Sequence, residues 1–302
     1  GRAGEGDVMS PRPVLDDVRA FDPTDRSPSE LPSFADLIDH ACRRWPDALV
    51  AYDGQQGLSY RELGEAADAV AAAVLQAPAG PVAVLTGPTI ESIIALAGVA
   101  RSGRAVVMLD RALPLPRLRT IVDLAQPGLL VADDASLGTC QEISGGVLPV
   151  RTVAELRTGQ LPFEPVAVSA DDLAAILFTS GSSGQPKGVL WSHRLLAGEA
   201  LTTGQRMGYR ENDRVAMSLP LGFAAGLAVA AVAINWGCTL LLQDPRTTGA
   251  DSFLKWVRDQ RATVLHTTPS MLRSLLATRD PAELLPDLRV WTACGEALYD
   301  SD

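Results

Sequence analysis

Between Leu177 and Val189 the chain reads Leu-Phe-Thr-Ser-Gly-Ser-Ser-Gly-Gln-Pro-Lys-Gly-Val, a composition that ordinary packing does not require. An apolar run from Leu173 to Phe178 predicts a buried strand that delivers the backbone into this cluster. Gly181 and Gly184 permit positive φ and close approach to a ligand. Successive N–H groups, with the hydroxyls of Thr179, Ser180, Ser182 and Ser183, are donors suited to phosphoryl oxygens. Pro186 stiffens the exit and Lys187 adds a compact positive charge.

Lys187 and Lys255 are the two lysines among 26 basic residues, so an ammonium inside a glycine-hydroxyl loop points to a local requirement. A flexible Gly/Ser linker is the plain alternative. Linkers are rarely entered from a buried strand and left through another apolar run, here Gly188 to Trp191. A P-loop is excluded by spacing, because counting from Gly181 demands glycine at 186 and a hydroxyl at 188, where Pro186 and Gly188 stand. The run after the lysine is also β-like, whereas a P-loop opens a helix. The stretch Phe178 to Gly188 resembles the phosphate-binding signature of the adenylate-forming superfamily, which includes acyl-CoA synthetases, luciferases and the adenylation domains of nonribosomal peptide synthetases.

The elements that must position this loop alternate along the chain. Residues 1–32, rich in proline and charge, predict an irregular leader. Capped helix starts stand at Ser33 with Asp36 and at Ser59 with Glu62. Strands are expected at 48–52, 82–86, 105–109, 129–132, 215–219, 239–242, 262–265 and 288–292. Helices are expected at 33–45, 59–76, 90–102, 116–125, 194–207, from Phe223, 253–260 and 270–277. A looser stretch spans about 135–169. The alternation predicts an α/β fold of stacked lobes, about 33–165 and 166–302, with mostly parallel sheets flanked by helices. Ligands of such sheets lie at the carboxyl ends of strands, where the opening loop also falls. By resemblance this is the large N-terminal domain of an adenylate-forming enzyme. Gly103 to Asp110, followed by Leu113 to Leu118, resembles an element of the peptide-synthetase type and supports kinship without suggesting chemistry.

The resemblance implies an acyl pocket. Pro220 to Gly226 resembles the segment that sets an aromatic residue, here Phe223, beside the substrate carboxylate. Amino-acid-activating members follow it with an aspartate that pairs with the α-ammonium; this chain has Ala224. An unpaired ammonium in an apolar pocket costs several kcal/mol, which disfavours an ordinary α-amino acid. Ala225 and Ala228 imply room near Phe223. His266, in Thr263 to Ser270, either bonds a polar substituent of the acid or shapes the pocket, and His193 is expected to hold the phosphate loop. Trp291 to Leu298 resembles the turn against which adenine packs, with Gly295, Glu296 and Ala297 on the nucleotide and Thr292 and Cys294 toward the acyl group. No base stands near Cys294 in sequence, so a covalent role for its thiol is rejected.

The remaining composition bounds the partners. A formal net charge of −10 and a pI near 4.8 argue against a nucleic-acid surface. Cys42, Cys140, Cys238 and Cys294 form no CxxC pair, which predicts reduced thiols, no structural zinc and a cytoplasmic setting. Leu221 to Leu242 is long enough to span a membrane, but Gly222, Gly226 and Asn235-Trp-Gly237 punctuate it, so a buried helix followed by a buried strand is expected. The sequence ends at Asp302, shortly after the adenine turn. The resemblance places the ribose-binding aspartate, the hinge and a small lid with its catalytic lysine beyond that point, so this part alone is expected to be nearly inactive. The function implied is ATP- and Mg²⁺-dependent activation of a carboxylic acid to an acyl-adenylate. The acceptor implied is a carrier-protein phosphopantetheine, with coenzyme A as the alternative; a binding module without turnover is the second reading.

Overall fold

Ser33 and Ser59 begin their helices for one physical reason. Each hydroxyl accepts from the N–H three residues on, and the acid there accepts from the serine N–H. The Glu62 carboxylate lies 2.7 Å from Ser59 N, and Asp36 lies 3.0 Å from Ser33 N. The structure is a computed structural model, and it describes residues 32–159, 162–180, 186–276, 284–297 and 299. Residues 1–31 of the expected leader lie outside that range.

In chain order the elements are α1 (Phe34–Arg44), β1 (Leu49–Tyr52), β2 (Gly57–Ser59), α2 (Tyr60–Leu75), β3 (Val82–Leu85), α3 (Ile90–Arg101), β4 (Val106–Leu109), α4 (Leu115–Ala125) and β5 (Leu129–Ala132). Then come α5 (Leu137–Ser144), β6 (Val150–Thr152) and α6 (Val153–Thr158), where a looser stretch was expected. These elements are too short for periodicity to register, although Thr152 and Glu155 form a third capping box. The second half runs β7 (Leu173–Ser180), β8 (Pro186–Ser192), α7 (His193–Met207), β9 (Arg214–Met217), α8 (Ala224–Asn235), β10 (Thr239–Leu242), α9 (Pro245–Thr248), α10 (Ala250–Asp259), β11 (Val264–Thr267), α11 (Pro269–Leu276) and β12 (Val290–Ala293). The long apolar stretch thus divides into α8 and β10, and no helix among the described residues is long and apolar enough to cross a membrane.

Twelve strands form two sheets, ordered β12-β11-β9-β10-β1-β2 and β6-β5-β3-β4-β7-β8. Each is parallel except for its last strand, β2 or β8, which pairs antiparallel. Each sheet borrows a strand pair from the other half of the chain, so the layers interleave. Alternation along the strands explains the layering. Val82, Val84, Val106 and Met108 of one sheet, and Val215, Met217, Leu240 and Leu242 of the other, pack on a shared layer of α1, α2, α3, α7 and α8. The intervening positions face outward, Ala83, Leu85, Val107 and Leu109 onto α4, and Ala216, Leu241 and Leu265 onto α10. α8 is apolar all round because it lies inside this middle layer.

Two polar clasps reinforce this packing. Buried Tyr60 donates to Ile234 O at 2.9 Å and lies 3.0 Å from Cys238 O, fastening α2 to the end of α8. At the carboxyl ends of the strands, Arg246 donates to both oxygens of buried Asp110, at 2.7 and 3.0 Å, and also to Asp244 at 2.8 Å. A two-pronged contact of this kind fixes orientation as well as distance.

Candidate active site

The chain after Phe178 behaves as its letters require. β7 and β8 form an antiparallel hairpin in which Thr179 faces Lys187 and Ser180 faces Pro186. A strand, rather than the helix of a P-loop, therefore follows the lysine. Thr179 and Lys187 are both exposed near the tip. Gly181, Ser182, Ser183 and Gly184 lie outside the described residues. His193 stands at the other end of β8, six residues from Lys187, roughly 20 Å along the strand at about 3.3 Å per residue. It therefore stands far from the described ends of the loop, Thr179 and Lys187. Its ring is fully buried with neither nitrogen partnered among the described residues, and burial pushes its pKa down to about 4.

The carboxyl ends of β9, β11 and the following turns surround a cavity of about 580 Å³. Phe223, Ala225, Cys294, Gly295 and Glu296 line it, together with Ser218, Met271 and Arg246, which sequence reasoning did not single out. Phe223 caps α8 and remains 49% exposed. Its turn is held tight by Gly226, where a Cβ would lie 2.0 Å from Pro220 O. Ala224 is exposed at the first position of α8, and Ala228 is half-buried a turn later; neither lines this cavity. A neighbouring cavity of about 620 Å³ shares Ser218, Leu219, Pro220 and Arg246, and is completed by the ends of β3, β4 and β10.

Glu296 is occupied structurally as well as lining the cavity. It accepts from Ser270 N at 3.1 Å and Ser270 Oγ at 2.7 Å, tying the turn after β12 to the start of α11. Gly295 adopts φ +95°, a conformation that suits glycine. Ala297 is exposed beside it and does not line the cavity. The half-buried Cys294 thiol has its pKa raised by burial, the opposite of an activated nucleophile.

His266 is not a cavity-lining side chain. It is 3% exposed, and both ring nitrogens are engaged: Nε2 with the Tyr209 hydroxyl and Nδ1 with Thr292 Oγ1 at 2.5 Å. Parallel pairing of β11 with β12 sets His266 directly beside Thr292. The Ser218 hydroxyl donates to the His266 carbonyl, fixing the backbone too. Burial lowers the His266 pKa to about 4, so the ring is neutral near pH 7. Both ring nitrogens are thus committed to protein partners on the neighbouring elements. Tyr209 was missed; it follows the terminating Gly208 of α7, a signal of a helix end and of nothing more.

At the opposite end of this wall, buried Asp213 accepts from Arg210 N, Thr263 Oγ1 and Arg289, pinning the starts of β9, β11 and β12. Among the described residues no group of three or more His, Cys, Asp or Glu could hold a metal ion.

Comparison with known proteins follows the same outline. The profile of a family described as AMP-binding enzyme matches residues 38–301. The 4-hydroxybenzoate–CoA/benzoate–CoA ligase of Rhodopseudomonas palustris is 29% identical over 284 residues, covering 87% of this chain and 52% of the ligase. Tyrocidine synthase 3 of Brevibacillus parabrevis is 26% identical over 269 residues, 87% of this chain and 4% of the synthase. The chain thus spans about half the length of the first relative and a small part of the second. Among solved structures, the N-terminal subdomain of Klebsiella oxytoca NpsA in complex with 3-hydroxybenzoyl-AMSN superposes with a TM-score of 0.76 at 26% identity, covering 88% of this chain and 67% of that one.

Proposed function

The chain belongs to the AMP-binding enzyme family, and on that premise we propose that the full-length protein uses ATP to activate a carboxylic acid. The carboxylate attacks the α-phosphorus, pyrophosphate leaves, and the acyl-adenylate then passes to the phosphopantetheine thiol of a carrier protein. The observation that carries this reading is the β7–β8 hairpin, which turns at the phosphate-binding sequence and presents Lys187 beside Thr179. Those two residues, with the loop between them, would hold the β- and γ-phosphates.

Two anions must meet in this reaction, so neutralisation of charge is its main requirement. Mg²⁺ would enter on the triphosphate. That ion is usually held by one or two carboxylates plus phosphate oxygens rather than by a protein cage. When bound it would screen the phosphate charge from the incoming carboxylate.

The acid is read from the pocket. Asp110 and Asp244 are committed to Arg246, and Glu296 to Ser270. With alanine at 224, no carboxylate among the described residues that line either cavity is left to pair with an α-ammonium. This supports an aryl, hydroxy, keto or non-α-amino acid. The benzoate-activating ligase and the 3-hydroxybenzoyl complex of NpsA agree with that class. Coenzyme A is the second acceptor, favoured by the resemblance to the ligase.

The test is acid-dependent exchange of pyrophosphate into ATP by the full-length protein over a broad panel of acids. Exchange with at least one non-α-amino acid is expected. A complete absence of exchange would refute the reading, and exchange confined to ordinary α-amino acids would refute the substrate class.

A further inference from the structure

Arg246 stands in the wall between the two cavities and lines both. The letters that place it are local. Asp244 caps α9, its carboxylate accepting from Arg246 N at 2.8 Å, and Pro245 fixes the first turn. The arginine is thereby folded back over its own cap, where Nε and Nη2 donate to the two oxygens of Asp244 at 3.0 and 2.8 Å. Its outer edge, Nη1 and Nη2, donates to Asp110 at 2.7 and 3.0 Å. A guanidinium carries five N–H groups in one plane. Four are spent in these two forks. The fifth, on Nη1, lies on the edge opposite Nε and has no acceptor among the described residues.

The two sides of this wall differ. Asp110 and Asp244 line the neighbouring cavity, and neither lines the cavity that holds Phe223. The Phe223 cavity therefore meets Arg246 on the side away from its acids, which is the side of the spare N–H. Other polar groups on that cavity are engaged with protein: Ser218 donates to His266 O, and Ser270 donates to Glu296. Arg246 is the one cationic side chain besides these that the cavity presents among the described residues lining it. Its position is also fixed, because Asp110 is buried and accepts from Ala112 N as well, and a two-pronged contact sets the plane of the guanidinium.

We infer that Arg246 is a specificity-determining residue whose uncommitted Nη1–H donates to an oxygen on the tail of the acid, with Asp110 as the positioning residue that aims it. One cation held by two anions leaves no positive charge to spare, so the oxygen it favours is a neutral acceptor, such as an ether, carbonyl or hydroxyl, and not a second carboxylate. This deepens the proposed adenylating function and rests on it for the identity of the ligand as a carboxylic acid. The count of donors and the side on which the spare one lies rest on the structure alone.

The test compares acids that differ in one oxygen, methoxybenzoates against ethylbenzoates of the same shape, by acid-dependent pyrophosphate exchange and by calorimetric titration, both on full-length protein. In the wild type the methoxy acids should be preferred by at least about tenfold in both measurements, as a hydrogen bond from a charged donor implies. Arg246→Met combined with Asp110→Asn removes the buried carboxylate together with its partner and keeps an apolar stem, so the preference should fall within about twofold without burying a lone charge. Asp110→Asn alone keeps the arginine but breaks one fork, and should leave a preference of about threefold. A merely structural clasp would weaken both acids alike in that variant and leave the ratio unchanged, which would overturn the positioning role. No preference in the wild type, or an undiminished one in the double variant, overturns the donor role. Use of a tail carboxylate in preference to the methoxy oxygen overturns the neutral-acceptor class. Absence of exchange with every acid while titration keeps the ratio refutes the adenylating function and leaves the inference standing.

Discussion

The β7–β8 hairpin and the β11–β12 wall are both two-strand units at the edges of their sheets, yet they are built on opposite principles. The hairpin closes the edge of its sheet with β8, where Lys187 and Val189 are exposed and Leu190 is 65% exposed, and it offers backbone and a single charge. The wall is cross-linked: Tyr209 to His266 to Thr292 at one end, Asp213 to Thr263 and Arg289 at the other. A phosphate grip needs exposed donors that a mobile, heavily charged ligand can reach. An acyl pocket needs side chains that do not move, because its selectivity lies in fixed shape and fixed donors. The contrast predicts that changes in the wall cost stability first, whereas changes in the hairpin cost ligand use and leave stability intact.

The largest effect is expected at the buried end of the wall. Asp213→Ala removes the acceptor for Arg289, Thr263 and Arg210 N, and should destabilise the fold by about 3–5 kcal/mol in denaturant unfolding. A loss under 1 kcal/mol would place the wall's rigidity elsewhere. Next is Gly226→Val, which drives side-chain atoms against Pro220 O and should cost about 1–3 kcal/mol while displacing the turn that carries Phe223. Unaltered unfolding and unaltered acid use would separate that turn from the pocket.

The third effect depends on pH. His193 and His266 have folded pKa values of about 4 against about 6.5 unfolded, so between those values the unfolded chain binds protons that the folded chain refuses. Stability is therefore full above about pH 6.5 and falls as pH drops toward 4, by up to about 3 kcal/mol for each histidine. His193→Leu should remove one share of that slope, because its ring already sits as an apolar group with no partner among the described residues. An unchanged slope between pH 7 and 4.5 would show that His193 does not titrate in this way. The smallest effect is on the hairpin. Leu190→Ser on exposed β8 should change stability by less than about 0.5 kcal/mol. A loss above 1 kcal/mol would mean that β8 is covered and that the contrast is misdrawn.

How much of this was legible follows from the same contrast. The hairpin was readable because its chemistry is contiguous: hydroxyls, glycines and lysine stand in one run, and spacing alone excluded a P-loop. Helix starts at Ser33 and Ser59 were readable because capping is local. α8 and β10 were separable because Asn235-Trp-Gly237 breaks the apolar run. The wall was only half readable. Resemblance gave His266 and Thr292 as pocket residues, but whether the histidine faces ligand or protein depends on Tyr209, 57 positions earlier, and no local pattern links them. The Asp110–Arg246 clasp, 136 residues apart, was invisible for the same reason. His193 misled because nearness in sequence to the loop becomes the far end of a strand once β8 is extended.

The division of labour between hairpin and wall is tested most directly by pyrophosphate exchange in full-length Lys187→Ala and Thr292→Val, with ATP and the preferred acid varied independently. Lys187→Ala is expected to raise the ATP concentration for half-maximal exchange by at least about tenfold, as loss of a charge-assisted bond implies, with that for the acid unchanged. Thr292→Val is expected to raise the half-maximal concentration of the acid alone. If both variants shift both concentrations together, the hairpin and the wall are not separate halves of the site and the account is contradicted.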